Sequence, residues 1–116
     1  MFGLILTPIK ETKTTFPYAE KLIEARELIR QGWCKYNHER KYLVGYSDLK
    51  IVTHYCVLGA LTKVMPTLEC NELREIFGRA NGIKDIATWN DKIWRTKGSV
   101  LRAFNRAIVL AEKEQK

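Results

Sequence analysis

The sequence predicts an all-α fold, a compact single-domain bundle of four main helices preceded by a short N-terminal strand or extended arm. Three observations predict it. Apolar residues recur with a 3.6-residue period in three separate segments. Gly32, Pro66 and Gly82 fall where those helices should stop. A chain of 116 residues with 46% apolar and 28% charged side chains is also long and apolar enough for one self-sufficient core.

Residues 1–16 are assigned to the arm. Within it, residues 2–9 read as a short edge strand or an extended segment laid on the core, and Lys10 to Thr15 is polar and turn-like. Met1 to Leu6 lacks the basic residues that open a signal peptide, and Pro8 and Lys10 cut its apolar run. No run approaches the ~18 apolar residues of a membrane span. The expectation is therefore a soluble, cytoplasmic protein with no membrane partner.

The first helix is assigned to 17–31. Pro17 suits a first helical position, where its missing N–H is not needed. Tyr18, Leu22, Ala25 and Ile29 then make one stripe, and Gly32 ends it. Residues 33–47 are aromatic, basic and polar without a sustained period, a long connection of the kind that often carries function. The second helix is assigned to 48–65, capped by Ser47 or Asp48 and stopped by Pro66. Tyr55 to Leu61 is almost wholly apolar or small, which makes this the central, most buried helix, with Lys50, Thr53 and His54 as its polar stripe. Gly59 and Ala60 would admit a neighbouring helix closely.

Leu73, Ile76, Phe77 and Ala80 define a third helix over 70–81, closed by Asn81-Gly82. Ile86 to Ile93 reads as a short helical turn or ordered loop. Thr96 caps the last helix, 96–113, whose inward stripe is Val100, Leu101, Phe104, Ala107, Ile108 and Ala111.

Twenty basic and thirteen acidic side chains leave a net charge of +7. That favours an acidic partner such as nucleic acid, a nucleotide or an acidic protein face, and it argues against a DNA mimic. Three cysteines, Cys34, Cys56 and Cys70, show no CxxC spacing. They read as reduced thiols of a cytosolic protein.

Two clusters combine aromatic surface with positive charge. The first is Trp89, Lys92, Trp94, Arg95, Lys97, Arg102 and Arg106, with no acidic side chain from Lys92 to Arg106. A helix starting near Thr96 offers unpaired N–H groups and a partial positive charge to an anion, and a tryptophan could stack on a base. The plainer account makes both tryptophans core pieces anchoring the 86–94 segment, with Asn90 and Asp91 closing a turn and the arginines a solvated face. The second cluster is Tyr36, His38, Arg40 and Lys41, with Trp33, Lys35, Tyr42 and Tyr46 nearby. Tyrosine, tryptophan and arginine are the residues that dominate interface cores. Here the plainer account is a long loop tied down by its own aromatics.

Other chemistry fares worse. Cys34, His38, His54 and Cys56 have the composition of a zinc site. If 48–65 is helical, however, His54 and Cys56 point roughly 200° apart and cannot share one ion. No glycine-rich nucleophile loop accompanies a cysteine, and Asp48, Asp85, Asp91 and Glu39 are explained as caps or surface residues. Thr96-Lys97-Gly98-Ser99 lacks the Walker spacing and a preceding strand. No catalytic constellation, metal site or cofactor site is assigned.

Three segments in order carry a resemblance: Leu28-Ile29-Arg30-Gln31-Gly32-Trp33-Cys34, Tyr55-Cys56-Val57-Leu58-Gly59-Ala60-Leu61, and Trp89-Asn90-Asp91 with its following helix. Over roughly residues 18–112 the chain resembles a family of small proteins from phages and bacteria known only as a domain of unknown function. It departs from that pattern between Lys35 and Tyr46, where Tyr36, Asn37, His38 and Tyr42 stand in place of smaller residues. The resemblance implies a compact helical fold and a phage or mobile-element origin. The functional expectation is a non-enzymatic, phage-type accessory protein in the bacterial cytoplasm. It would bind and modulate or inhibit a host protein or nucleoprotein complex, with a defence system as one candidate. Binding of an anionic nucleotide-like molecule at the basic cluster is the alternative, and nucleic-acid binding comes third.

Overall fold

The computed structural model describes residues 16–116. The expected N-terminal strand or arm lies outside the described residues. The elements run in the order α1 (Pro17–Gln31), β1 (Glu39–Val44), β2 (Lys50–Tyr55), α2 (Val57–Val64), α3 (Cys70–Asn81), α4 (Ile86–Asn90) and α5 (Lys97–Lys113). The fold is mixed, with five helices and one two-stranded antiparallel sheet among the described residues, which corrects the all-α expectation.

The correction has a local cause. Ile51, Val52 and Thr53 are three consecutive β-branched residues, whose stiff χ1 torsions suit a pleated strand better than a helix. Lys50, Thr53 and His54 fall at helical spacing, which mimics a polar stripe. In the strand they divide between faces, with Lys50, Val52 and His54 on one and Ile51, Thr53 and Tyr55 on the other. β1 pairs with β2 in the register Arg40↔His54, Tyr42↔Val52 and Leu43↔Ile51. Ser47 and Asp48 therefore belong to the connecting turn rather than to a helix cap. Gly45 opens that turn at φ 102°, and a Cβ there would lie 2.7 Å from the Asp48 carbonyl oxygen. Only glycine fits both demands.

The remaining elements follow the periodicity. α1 buries Ala19, Leu22, Ala25 and Ile29, and the Gly32 N–H closes its end on the carbonyls of Leu28 and Ile29. α2 is shorter than expected but buries Val57, Gly59, Ala60 and Leu61, and its cap is the Cys56 sulfur, which accepts from Gly59 N at 3.3 Å. α3 ends at Gly82, whose φ of 63° is the left-handed cap. α5 starts on a reciprocal capping box between Thr96 and Ser99.

Helix α5 packs on both α1 and α3, and α2 lies against α1. The core centres on Phe77, which meets Phe104 edge-on at 4.9 Å between ring centroids and Trp89 at 5.8 Å. Leu22, Ile29, Val57, Leu61, Leu73, Ile76 and Val100 complete its fully buried set. The hairpin stands apart from this core. Its base is tied in, where Tyr55 N donates to Gly32 O at 2.9 Å and Cys34 N donates to Tyr55 O at 3.1 Å.

Candidate functional site

The Trp89-Asn90-Asp91 segment organises the surface on which both aromatic clusters lie. Asn90 ends α4 and is 1% exposed. Its Oδ1 accepts from the Trp33 indole Nε1 at 2.9 Å and from Val57 N, the first N–H of α2, at 3.1 Å. Its Nδ2 donates to the Cys34 carbonyl at 3.2 Å and to Asp91 Oδ1 at 2.9 Å. One buried amide thus joins α4 to the segment leaving α1 and to the start of α2. Sequence reasoning gives Asn90 only a turn-closing part, because partners 33 and 57 residues away leave no local signal.

Asp91 extends the network outward. Its Oδ1 also accepts from Tyr36 N at 2.9 Å, and its carbonyl accepts from the Tyr36 hydroxyl at 3.5 Å. That contact holds Tyr36 at φ 70°, a left-handed conformation that a tyrosine adopts only when its surroundings impose it. Lys35 Nζ donates to the carbonyls of Lys92 at 2.6 Å and Ile93 at 3.3 Å. The 35–36 segment is thereby laid against 91–93, and the two sequence clusters adjoin. Tyr36 is 71% exposed, Ile93 84% and Trp94 68%. Lys92 Nζ sits 5.6 Å from the centroid of the Trp94 ring. Ile93, absent from the sequence-assigned set, is among the most exposed large apolar side chains of the patch.

The other assigned residues do not converge on one pocket. Trp89 is half-buried against Phe77, as the plainer account has it, whereas Trp94 is exposed. Arg95 lies over the Trp89 ring at 3.8 Å and donates through Nε to the Trp89 carbonyl at 2.9 Å, and burial lowers its pKa. Arg106 is turned to α3, where it donates to Asn81 Oδ1 at 2.6 Å. Lys97 and Arg102 remain exposed on the first turns of α5. Around Thr96, the capping box occupies Ser99 N with the Thr96 hydroxyl and Thr96 N with the Ser99 hydroxyl. The anion site expected at that terminus is partly filled by the protein itself.

In the second cluster, His38 is exposed, but its carbonyl is pressed against α2 and accepts from Cys56 N at 3.1 Å. Arg40 Nη2 and Nε lie 2.9 and 3.1 Å from the Asn37 side-chain amide, whose oxygen faces them in the orientation that satisfies both groups. Lys41 pairs with Glu39 at 2.7 Å, an exposed contact worth little. These three line the hairpin's foot beside Tyr36. An open groove of about 1040 Å³ between α3 and the segment 82–87 carries Arg74, Arg79 and Lys84 but also Glu75 and Asp85, so it favours neither sign of charge.

His54 lies in a strand, which removes the helical premise used against a shared ion. Even so, no group of three or more His, Cys, Asp and Glu side chains is placed to hold a metal among the described residues. The Cys34 thiol donates weakly to the carbonyls of Asn37 and His54. Burial, and then the neighbouring Cys56, push the Cys34 pKa up from 9.0 to about 11, and burial raises that of Cys56 as well. Both thiols are protonated at neutral pH and are poor nucleophiles. Between pH 9.0 and about 11 the unfolded chain loses a Cys34 proton that the folded chain keeps. Stability present below that window therefore declines as pH rises through it. Denaturation midpoints measured across the window should fall less steeply in Cys34→Ala than in the wild type. Identical slopes would show that another group titrates.

No helix among the described residues is long and apolar enough to cross a membrane. No curated protein and no solved structure matches the chain. A family model matches residues 13–110, from just before α1 into the last turns of α5, and by it the chain belongs to DUF6197, a family of unknown function.

Proposed function

We propose that this protein acts by binding, as a phage-type accessory protein that docks on a host protein or nucleoprotein complex through the surface formed by Tyr36, Ile93 and Trp94. The observation that carries the reading is the exposure of these three large side chains on adjoining segments, 71%, 84% and 68% respectively, with Lys35 and Lys92 among them. Scattered apolar residues need no explanation, but a tyrosine, a tryptophan and an isoleucine held together on a hydrogen-bonded frame do. Tryptophan and tyrosine contribute most of the energy in typical interfaces. Ile93 favours a protein surface, because an aliphatic side chain gains about 1.5–3 kcal/mol on full burial and nothing from phosphate. The frame beneath, from Asn90 through Asp91 to Tyr36, keeps the patch rigid before binding and so lowers the ordering cost of association. Modulation of the partner, including inhibition of a defence component, follows from occupying its surface.

The test is affinity capture from host lysate with the tagged wild type beside Trp94→Ala, Ile93→Ala and Tyr36→Gly. Glycine at 36 suits the left-handed backbone, keeps the bond from its N–H to Asp91 and removes the ring with its long hydroxyl contact. We expect one stoichiometric protein with the wild type and at least a tenfold loss with Trp94→Ala, which is about 1.4 kcal/mol, at unchanged melting temperature. Equal recovery by all three variants would sink the reading. Capture of a nucleotide without a protein would replace it.

A further inference from the structure

We propose that the β1–β2 hairpin is a self-association surface, on which a second copy of this chain pairs antiparallel, β1 against β1, about Leu43. All six residues of β1 are exposed, so no face of that strand is covered by the core. A two-stranded ribbon is marginal on its own, and among the described residues the backbone hydrogen bonds that anchor this one lie at its Tyr55 end. The outer edge of β1 has no strand beside it among the described residues. Natural edges are blunted by lysine, proline or a bulge. Here Arg40 and Lys41 guard the first half of β1, while Tyr42-Leu43-Val44 carries neither charge nor proline.

Three features choose a second copy as the occupant. The first is area. Tyr42, Leu43, Val44, Tyr46, Leu49 and Ile51 are 39%, 66%, 43%, 100%, 56% and 68% exposed. Together they present on the order of 700 Å², shared between the two faces and the tip of the ribbon, so that apolar side chains flank both sides of a β1-to-β1 seam. The second is charge. From Gly45 to Ile51 the only charged side chains are Asp48 and Lys50, so the tip is neutral and makes no demand for an acidic partner. The third is the pattern along β1. Antiparallel pairing about Leu43 sets Tyr42 of each copy opposite Val44 of the other and brings the two apolar halves together. The two Lys41 side chains then lie four residues apart along the ribbon, about 14 Å at ~3.4 Å per residue and beyond the ~8 Å screening length. Arg40 of each copy comes alongside the other's Tyr46–Asp48 turn, which carries the acidic Asp48. The pairing would join two hairpins into one four-stranded sheet. It uses a surface apart from Tyr36 and Trp94 and stands whether or not these bind a partner.

Sedimentation velocity on the full chain, from about 1 μM to about 1 mM, covers the affinities expected of an interface this size. We expect a species of twice the chain mass that strengthens as salt rises, since two copies of charge +7 repel each other. Leu43→Lys places a charge on a residue exposed in the monomer and should abolish the dimer. Leu68→Lys, at a still more exposed apolar residue on the loop before α3, should leave it intact. A monomer at every concentration overturns the proposal and leaves the hairpin to an unrelated partner. A dimer that survives Leu43→Lys, or one that dissociates in high salt, overturns it as well.

Discussion

Asn90→Ala should cost about 3–5 kcal/mol of stability, a large share of the ~5–15 kcal/mol typical of a domain. The substitution leaves the Trp33 indole N–H, the first N–H of α2 and the Cys34 carbonyl without their partner in a place that is 1% exposed. Each orphaned buried group costs ~1–3 kcal/mol, far more than an average hydrogen bond contributes when both partners are present. Asn90→Asp should be no milder. It restores the acceptor for Trp33 and Val57 but sets a buried carboxylate against the Cys34 carbonyl and the Asp91 side chain, with no cation in the network to pair it. Urea denaturation of the two variants measures both losses. A cost below about 1 kcal/mol for Asn90→Ala would mean that water replaces the amide and that the three segments hold together without it.

That network marks where the sequence stops being legible. Helices α1, α3 and α5 are written in local rules, a 3.6-residue stripe between recognisable ends, and their burial follows those stripes closely. Gly82 and the Thr96 cap likewise do what their residue types dictate. The hairpin escapes such a reading because residues 50–55 satisfy two periods at once, and the β-branched run 51–53 is the signal that decides between them. The proposed binding surface is half legible. Its aromatic and basic composition shows in one dimension, but exposure does not: Trp89 and Trp94 are five residues apart, and one packs on Phe77 while the other faces solvent. The basic run from Lys92 to Arg106 looks continuous, yet Arg95 and Arg106 are each committed to another part of the protein.

The three segments that carry the family resemblance meet in space. Trp33 and Cys34 from the first, Val57 from the second and Asn90 from the third share one set of hydrogen bonds. This placement explains a resemblance that brings no catalytic residues with it. Segments that meet at such a junction report how the chain folds, while Tyr36 and Trp94 beside them are exposed and take no part in it through their rings.

Gly59→Ala tests the junction from its other side and should be nearly as damaging as loss of Asn90, at about 3 kcal/mol or more. A Cβ at position 59 would overlap the His38 carbonyl oxygen and stand 2.6 Å from its carbon. Gly59 therefore admits the backbone entering β1, where the sequence suggests a neighbouring helix. The obstacle is main chain, and the same carbonyl accepts from Cys56 N, so relief requires moving the strand and breaking that bond. Gly32 gives the contrasting case. Its φ of 178° is ordinary extended backbone, and a Cβ there would run into the His54 ring, 2.7 Å from Cγ. Because that ring is a side chain, Gly32→Ala combined with His54→Ala should recover most of the stability lost by Gly32→Ala alone. No companion substitution at position 38 should rescue Gly59→Ala, since every residue there carries the same carbonyl. Melting temperatures of the two single variants, Gly32→Ala/His54→Ala and Gly59→Ala/His38→Ala decide the matter. Rescue of Gly59→Ala by His38→Ala would show that the hairpin shifts cheaply and that its placement on α2 is not rigid.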